Sequence, residues 1–228
     1  MSWLWLALGL LGLGALVYWQ FIIAEGAYLG PRVVAWTYDR VAKRYDAIKH
    51  FVPSYENWFI ATPLLQALAG VDRPLILDVA TGTGRLPEAL LREHFQGQII
   101  GLDLSREMLH QARAKLRPYG QQTSLIRQDA GQLPFGDATF DAVTCLESLE
   151  FMPHPLDVLS EMLRVLAPGG VLFITNRTGS EARLLPGRVW RRSALQQALD
   201  EMSLEQIEVE PWQVHYELLM GRKRSFRE

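Results

Sequence analysis

The chain has 228 residues, 49% of them hydrophobic and 21% charged, which suffices for one sizeable domain with an appendage and is too little for two full domains. A formal net charge of -2 gives no global pull toward nucleic acid. The single cysteine, Cys145, excludes an internal disulfide and fits a reducing compartment.

From Trp3 to Ala24 the chain carries no charge and is apolar apart from Tyr18, Trp19 and Gln20. As a helix rising 1.5 Å per residue it spans about 33 Å, the thickness of a bilayer core. Trp3 and Trp5 at one end, with Tyr18 and Trp19 toward the other, are placed like interfacial belts. No basic residue precedes the helix, whereas Arg32, Arg40, Lys43 and Arg44 come after it, so the positive-inside tendency puts the rest of the chain in the cytoplasm. The reading is a single-pass transmembrane anchor over 1–24. A cleaved signal peptide is the rival, opposed by the missing basic n-region and the over-long apolar stretch. A buried core helix is the third reading, and apolar residues all round, with Gly9, Gly12 and Gly14, fit lipid better.

Next, Ala27 to Val52 reads as a helical segment with Val33, Val34, Trp36, Val41 and Tyr45 as its apolar and aromatic face, and Ser54 caps a second helix through Leu68 that Pro63 interrupts. These make a leading, lid-like segment over 25–72, ahead of a binding domain over 73–228. Strands are expected near Leu75–Val79, Gln98–Asp103, Thr123–Arg127, Phe140–Leu146, Gly170–Asn176, Glu205–Pro211 and Gln213–Met220, with helices between the early ones. Alternating strand and helix calls for an α/β fold, a doubly wound, mostly parallel sheet of seven strands. The last two strands, separated by little around Pro211-Trp212, form an antiparallel hairpin.

The stretch Leu75-Ile76-Leu77-Asp78-Val79-Ala80-Thr81-Gly82-Thr83-Gly84-Arg85 organises the rest. An apolar strand ends beside an acid, two glycines follow, and a helix begins at Leu86: this is strand, tight turn and helix, the nucleotide-binding half of a doubly wound sheet. Gly82 and Gly84 lack the Cβ that would keep a ligand from the backbone. Pro87 stands where a pyrophosphate fingerprint has its third glycine, and Asp78 would repel a pyrophosphate but suits a cation. S-adenosylmethionine carries an ammonium and a sulfonium and no phosphate. Asp103, about twenty residues after the glycines, stands where a carboxylate takes ribose hydroxyls, with Ser105 left to cap the helix behind it.

The ordered set Asp78 to Gly84, Asp103, Asp129-Ala130, Leu133-Pro134-Phe135, Phe140-Asp141-Ala142-Val143 and Leu166-Ala167-Pro168-Gly169-Gly170 resembles the class I S-adenosylmethionine-dependent methyltransferases, nearest the ubiquinone/menaquinone biosynthesis branch with its type 11 methyltransferase domain. The resemblance covers roughly Val41 to Lys223, with Ala80 standing where many members have the first glycine of the turn. It implies a Rossmann-like methyltransferase fold, S-adenosyl-L-methionine as cofactor, and a cofactor site at Tyr45, Asp78, Ala80, Gly82, Gly84, Asp103, Leu104, Asp129, Ala130 and Cys145. Tyr45 belongs to an Arg44-Tyr45-Asp46 element whose tyrosine approaches the cofactor in that family. No metal is expected.

Methyl transfer from a sulfonium is an in-line displacement, so the protein mainly aligns the reactants. For a phenol or an acidic carbon a base helps, and His154, then Glu147, are the candidates after the fourth strand; a loop-shaping His154 is the competing reading. No Asn/Asp-Pro-Pro-Tyr follows that strand, which disfavours methylation of planar amino groups. Arg183 to Arg192 combines four arginines with Leu184, Leu185, Val189 and Trp190, a pattern of headgroup-facing arginines and apolar side chains toward acyl chains, to which Arg222-Lys223-Arg224 would add. The expectation is a membrane-anchored methyltransferase for a small lipophilic acceptor such as a quinone, isoprenoid or lipid precursor, with no nucleic-acid partner and room for a membrane protein partner. The alternative is a catalytically silent fold kept as a membrane scaffold or assembly subunit, and a nicotinamide oxidoreductase is disfavoured by Pro87 and Asp78.

Overall fold

The computed structural model describes residues 2–225, so the expected domain limits at 1 and 228 lie outside the described residues. The apolar opening forms helix α1, Ser2–Tyr18, and continues as a π-helical turn over Trp19–Ile23. Trp3–Ile23 is long and apolar enough to cross a membrane and is only 6% buried. That exposure sets aside the buried core helix.

The leading segment is more broken than one helix over Ala27 to Val52. A short 3-10 turn, Ala27–Leu29, ends at Gly30, whose φ of +99° suits glycine, and α2 runs from Pro31 to Val41 with its proline at the first turn. A 3-10 turn over Ala42–Arg44 and a short helix over Tyr45–Lys49 follow, closed by His50 in the left-handed region. The second helix starts at Pro53, with Val52 rather than Ser54 at its cap, and passes through a π turn over Asn57–Ala61 before resuming at Thr62–Ala67. Pro63 lacks the N–H a continuous helix needs, and the wider turn ahead of it takes up the mismatch.

Seven strands make one sheet: β1 Leu75–Val79, β2 Gln98–Asp103, β3 Thr123–Arg127, β4 Phe140–Cys145, β5 Leu166–Arg177, β6 Leu204–Trp212 and β7 Tyr216–Lys223. Their order is β3-β2-β1-β4-β5-β7-β6, parallel except that β7 runs antiparallel to β5 and β6. The hairpin turns between Trp212 and Tyr216, with Gln213 at φ +55°, so that β7 begins three residues later than the sequence suggests. Pro211 stays within β6, where the missing N–H is tolerated because β6 is the sheet edge.

Side chains alternate across the sheet. Leu77 and Val79 enter one apolar cluster with α5, Pro155–Val165, and with Leu195 and Leu199 of a later helix, Arg192–Glu201. Ile76 enters the other with Leu86 and Leu90 of α3, Arg85–Arg92, and Leu116 of α4, Arg106–Leu116. Asp141 accepts from Leu75 N at 2.8 Å and pins β1 to β4. Arg164 donates to the carbonyls of Leu133 and Phe135 and pairs with Asp137, so that sequence motif braces a loop. The chain winds outward in opposite directions from β1 and β4, which leaves a crevice at their carboxyl ends.

Candidate functional site

Two chambers open in that crevice, one of about 780 Å³ with its mouth included and one of about 380 Å³. Tyr45, Ala80, Gly82, Leu146 and Glu147 line both. The outer chamber joins Asp103, Leu104, Gln128, Asp129 and Ala130 on one wall to Tyr38, Phe151, Met152 and Pro153 on another, and the inner one holds Asp78 and Arg85.

Positive φ angles shape the floor. Gly82 stands at +54°, and a Cβ there would meet no protein atom within 4 Å, so the space above it is open. Gly84, at +80°, differs: its Cβ would come within 2.9 Å of Leu116 Cδ1. Gly84 is therefore a packing glycine between α3 and α4 and stands outside either chamber's lining, whereas the sequence placed it against the cofactor. Ala80, φ +55°, and Glu147, φ +51°, hold the same conformation at the tips of β1 and β4. Such backbone costs on the order of 1–3 kcal/mol per residue and collects at functional sites.

Asp103 holds the turn in place. Its Oδ2 accepts from Gly82 N and its Oδ1 from Ser105 N, both at 2.8 Å. Each oxygen keeps a lone pair for a ligand hydroxyl. Burial raises its pKa to about 6 against the hydrogen bonds from Ser105 and Gly82. Asp78, 3% exposed, is raised to about 6 by burial, opposed by the 2.6 Å hydrogen bond from Thr144 Oγ1. Asp129 accepts from Gly131 N at 2.9 Å and shapes its own turn while lining the chamber. The Asp39 carboxylate of α2 accepts from Ser105 Oγ at 2.5 Å and from Glu107 N at 3.0 Å, fastening the leading segment to the start of α4.

Glu147 is buried against two cations: Oε2 accepts from Lys49 Nζ at 2.8 Å and Oε1 from Arg85 at 2.6 Å. Burial alone would raise its pKa, but Lys49 and Arg85 outweigh it and hold the carboxyl below its ordinary value. A carboxylate so held is a weak base. Arg85 also forks onto Glu56 at 2.5 and 2.8 Å and sits between the rings of Phe51, 4.1 Å, and Trp212, 4.8 Å from the ring centroids. It is the clasp between leading segment and sheet.

Two further candidates lie outside both chambers. Cys145 is fully buried in the apolar cluster, 3.0 Å from Ser148 Oγ and outside both linings, its thiol pKa pushed up by burial. His154 is exposed at the start of α5, and Met152 and Pro153 take the wall instead. The arginine-rich segment does not present the face expected of it. Leu185 is buried, Trp190 packs on the core, and Arg192 pairs with Glu217 at 2.6 Å. Arg188 donates to the carbonyls of Met152 and Ala27, the latter at 3.0 Å, while Trp19 Nε1 donates to Leu184 O and Tyr28 OH to Pro186 O. The segment thus grips the end of the apolar helix. Arg222 and Lys223 likewise donate to backbone carbonyls and Arg224 pairs with Asp200.

Sequence reasoning missed Tyr38, Lys49, Arg85, Phe151 and Met152. A signal existed for Tyr38 alone: it precedes Tyr45 by two helical turns and so shares its face.

Residues 77–174 match the family described as Methyltransferase domain. The chain is 32% identical over 152 residues to the ubiquinone/menaquinone biosynthesis C-methyltransferase of Syntrophotalea carbinolica, covering 66% of this chain and 63% of that one. It is 37% identical over 136 residues to the demethylmenaquinone methyltransferase of Bacillus licheniformis, covering 58% and 57%. The matched stretch thus spans under two thirds of these relatives' length. Among solved structures, the [4+2]-cyclase SpnF superposes with a TM-score of 0.71 at 19% identity, over 86% of this chain and 96% of that one. An S-adenosylmethionine-dependent methyltransferase from Aquifex aeolicus gives 0.62 at 20%, over 81% and 98%. These two share the fold.

Proposed function

We propose, for a chain whose residues 77–174 match a methyltransferase domain family, that it transfers a methyl group from S-adenosylmethionine to a lipophilic hydroquinone at the membrane surface. One observation carries the cofactor part: open space over Gly82, with free lone pairs on Asp103 to one side and the Asp78 carboxylate to the other. These residues fit the group. Asp103 would take the ribose hydroxyls, Leu104, Asp129 and Ala130 would border the base, and Asp78 would face the cationic end, with Tyr45 covering the junction. S-adenosylmethionine supplies an activated methyl on a sulfonium. The chain's own residues bind, orient and exclude water, and the Arg85 clasp keeps the leading segment closed over the site.

The acceptor follows from two supports. Tyr38, Phe151, Met152 and Pro153 give the outer wall an apolar and aromatic surface, and the relatives at 32–37% identity are named for quinone methylation. On this reading residues 1–24 anchor the chain with residues 25–72 as the lid, 73–228 as the binding core, and the domain on the cytoplasmic side where Arg32, Arg40, Lys43 and Arg44 lie. The SpnF likeness shows that this fold serves more than one reaction, so turnover is the test. The chain, in detergent with S-adenosylmethionine labelled in its methyl group, transfers label to demethylmenaquinol. Absence of transfer from a chain that binds the cofactor refutes the acceptor, and absence of binding refutes the reading as a whole.

A further inference from the structure

Behind the acceptor wall lies a part-buried pair whose second member comes from the end of the apolar helix. Glu25 is two residues beyond the span Trp3–Ile23 and stands at φ +50°, followed by Gly26 at +86°. This turn bends the chain back onto the domain, with Gly26 N donating to Gln20 O at 2.8 Å. The Glu25 carboxylate faces inward, where the Tyr38 hydroxyl donates to Oε2 at 2.5 Å. Tyr38 is itself part of the outer chamber's wall, its ring centroid 5.9 Å from that of Tyr45 and 6.4 Å from that of Phe151.

The charged groups facing Glu25 come from three elements: Lys49 from the lid, Arg177 from the end of β5 and Glu147 from the loop after β4. Tyr45 and Tyr216 also face Tyr38. Burial raises the Glu25 carboxyl above its ordinary value, against the hydrogen bond from Tyr38 and the two cations. Glu147, in contrast, has both oxygens taken by Lys49 and Arg85.

We propose that Tyr38 is a catalytic residue and Glu25 the positioning residue that acts through it, together passing on the hydroxyl proton of the hydroquinone acceptor. The proposal rests on the methyl-transfer reading above. In the step, the acceptor's ring carbon forms a C–C bond to the methyl while the S–CH3 bond breaks with its electron pair on sulfur. The acceptor's O–H proton moves to Tyr38 Oη as the Tyr38 proton moves to Glu25 Oε2, leaving a neutral ring ketone. Loss of the ring C–H proton to water, with the Glu25 proton returning through Tyr38 to the ring oxygen, then restores the aromatic hydroquinone and the Glu25 carboxylate. The sum is hydroquinone plus sulfonium giving methylated hydroquinone, thioether and one proton, with no oxidant or reductant. The anchor's end thereby contributes to the chemistry as well as to attachment.

The test uses the full chain in detergent with Glu25→Gln, Glu25→Asp and Tyr38→Phe, read by calorimetric titration with S-adenosylmethionine, thermal melting, and methyl transfer to demethylmenaquinol across pH. The expected result is an unchanged cofactor isotherm, kcat lower by about 100-fold or more in Glu25→Gln and Tyr38→Phe, loss of the alkaline-rising limb of the wild-type profile, and partial rescue by Glu25→Asp. Wild-type kcat and pH profile in Glu25→Gln would overturn it, as would loss of cofactor binding in step with rate. If the wild type binds cofactor but does not methylate the hydroquinone, the acceptor reading falls. The relay is then judged on 2-naphthol bound with S-adenosylhomocysteine. A naphtholate absorbance band present in wild type and absent in Glu25→Gln supports it, and identical spectra overturn it.

Discussion

Asp78→Asn should make the free protein more stable while removing cofactor binding. Asp78 is 3% exposed and titrates at about 6 instead of 3.8 because burial disfavours its charge. A carboxyl raised on folding supports the folded state fully below its unfolded pKa and loses that support as pH rises through the folded one. The ionised carboxylate at pH 8 therefore costs about 3 kcal/mol, two pH units at about 1.4 kcal/mol each. The amide keeps the acceptor for Thr144, and its unpartnered N–H takes back about 1 kcal/mol. The remainder, about 2 kcal/mol, corresponds to roughly 6 °C in Tm for a domain of this size. Melting of both proteins without ligand, at pH 8 and pH 5, measures it. The gap in Tm should shrink as pH falls through 6. A variant that melts below wild type at pH 8, or a gap independent of pH, would refute the burial argument.

Other outcomes follow from the same geometry. Gly82→Ala should fold with a loss of about 1 kcal/mol from its positive φ and bind S-adenosylmethionine poorly, whereas Gly84→Ala, driven against Leu116, should lose more stability than Gly82→Ala; melting and titration of the pair separate the two roles. Cofactor affinity of wild type should fall as pH drops below about 6, where Asp78 and Asp103 protonate, and calorimetry across pH 5 to 8 reads this. Arg85→Ala leaves Glu56 and Glu147 without their guanidinium and should cost about 3 kcal/mol, measured by denaturant unfolding, with part recovered in the double variant with Glu147→Gln. Arg188→Ala should free the turn at Ala27 from Arg188 and the Met152 loop, seen as faster proteolysis within residues 25–30.

Local signals carried the sheet. Leu75–Val79, Gln98–Asp103 and Thr123–Arg127 are apolar runs bounded by polar turns, and their ends lie where the pattern put them. Asp78, Gly82 and Asp103 line the crevice as the pattern placed them, because a strand-to-helix turn dictates what its residues face. Cys145 and His154 lie outside the crevice lining for a different reason. Both follow or end β4, and whether a side chain there meets the crevice depends on the pleat and on the loop's path, which the far side of the fold decides. The arginines of 183–192 show the same limit. Their composition suits a membrane, but folding brings Met152 O and Ala27 O to Arg188 and Glu217 to Arg192. The Glu25–Tyr38 pair needs a turn in the left-handed region at a glutamate, a conformation composition does not announce.

The cofactor site is the claim on which the rest stands, and calorimetric titration of the chain with S-adenosylmethionine and S-adenosylhomocysteine, beside Asp103→Ala, tests it most directly. A one-to-one isotherm for both ligands in wild type, abolished in a variant that still melts cooperatively, is the predicted result. A folded wild type that binds neither ligand would contradict the account and favour a catalytically silent fold.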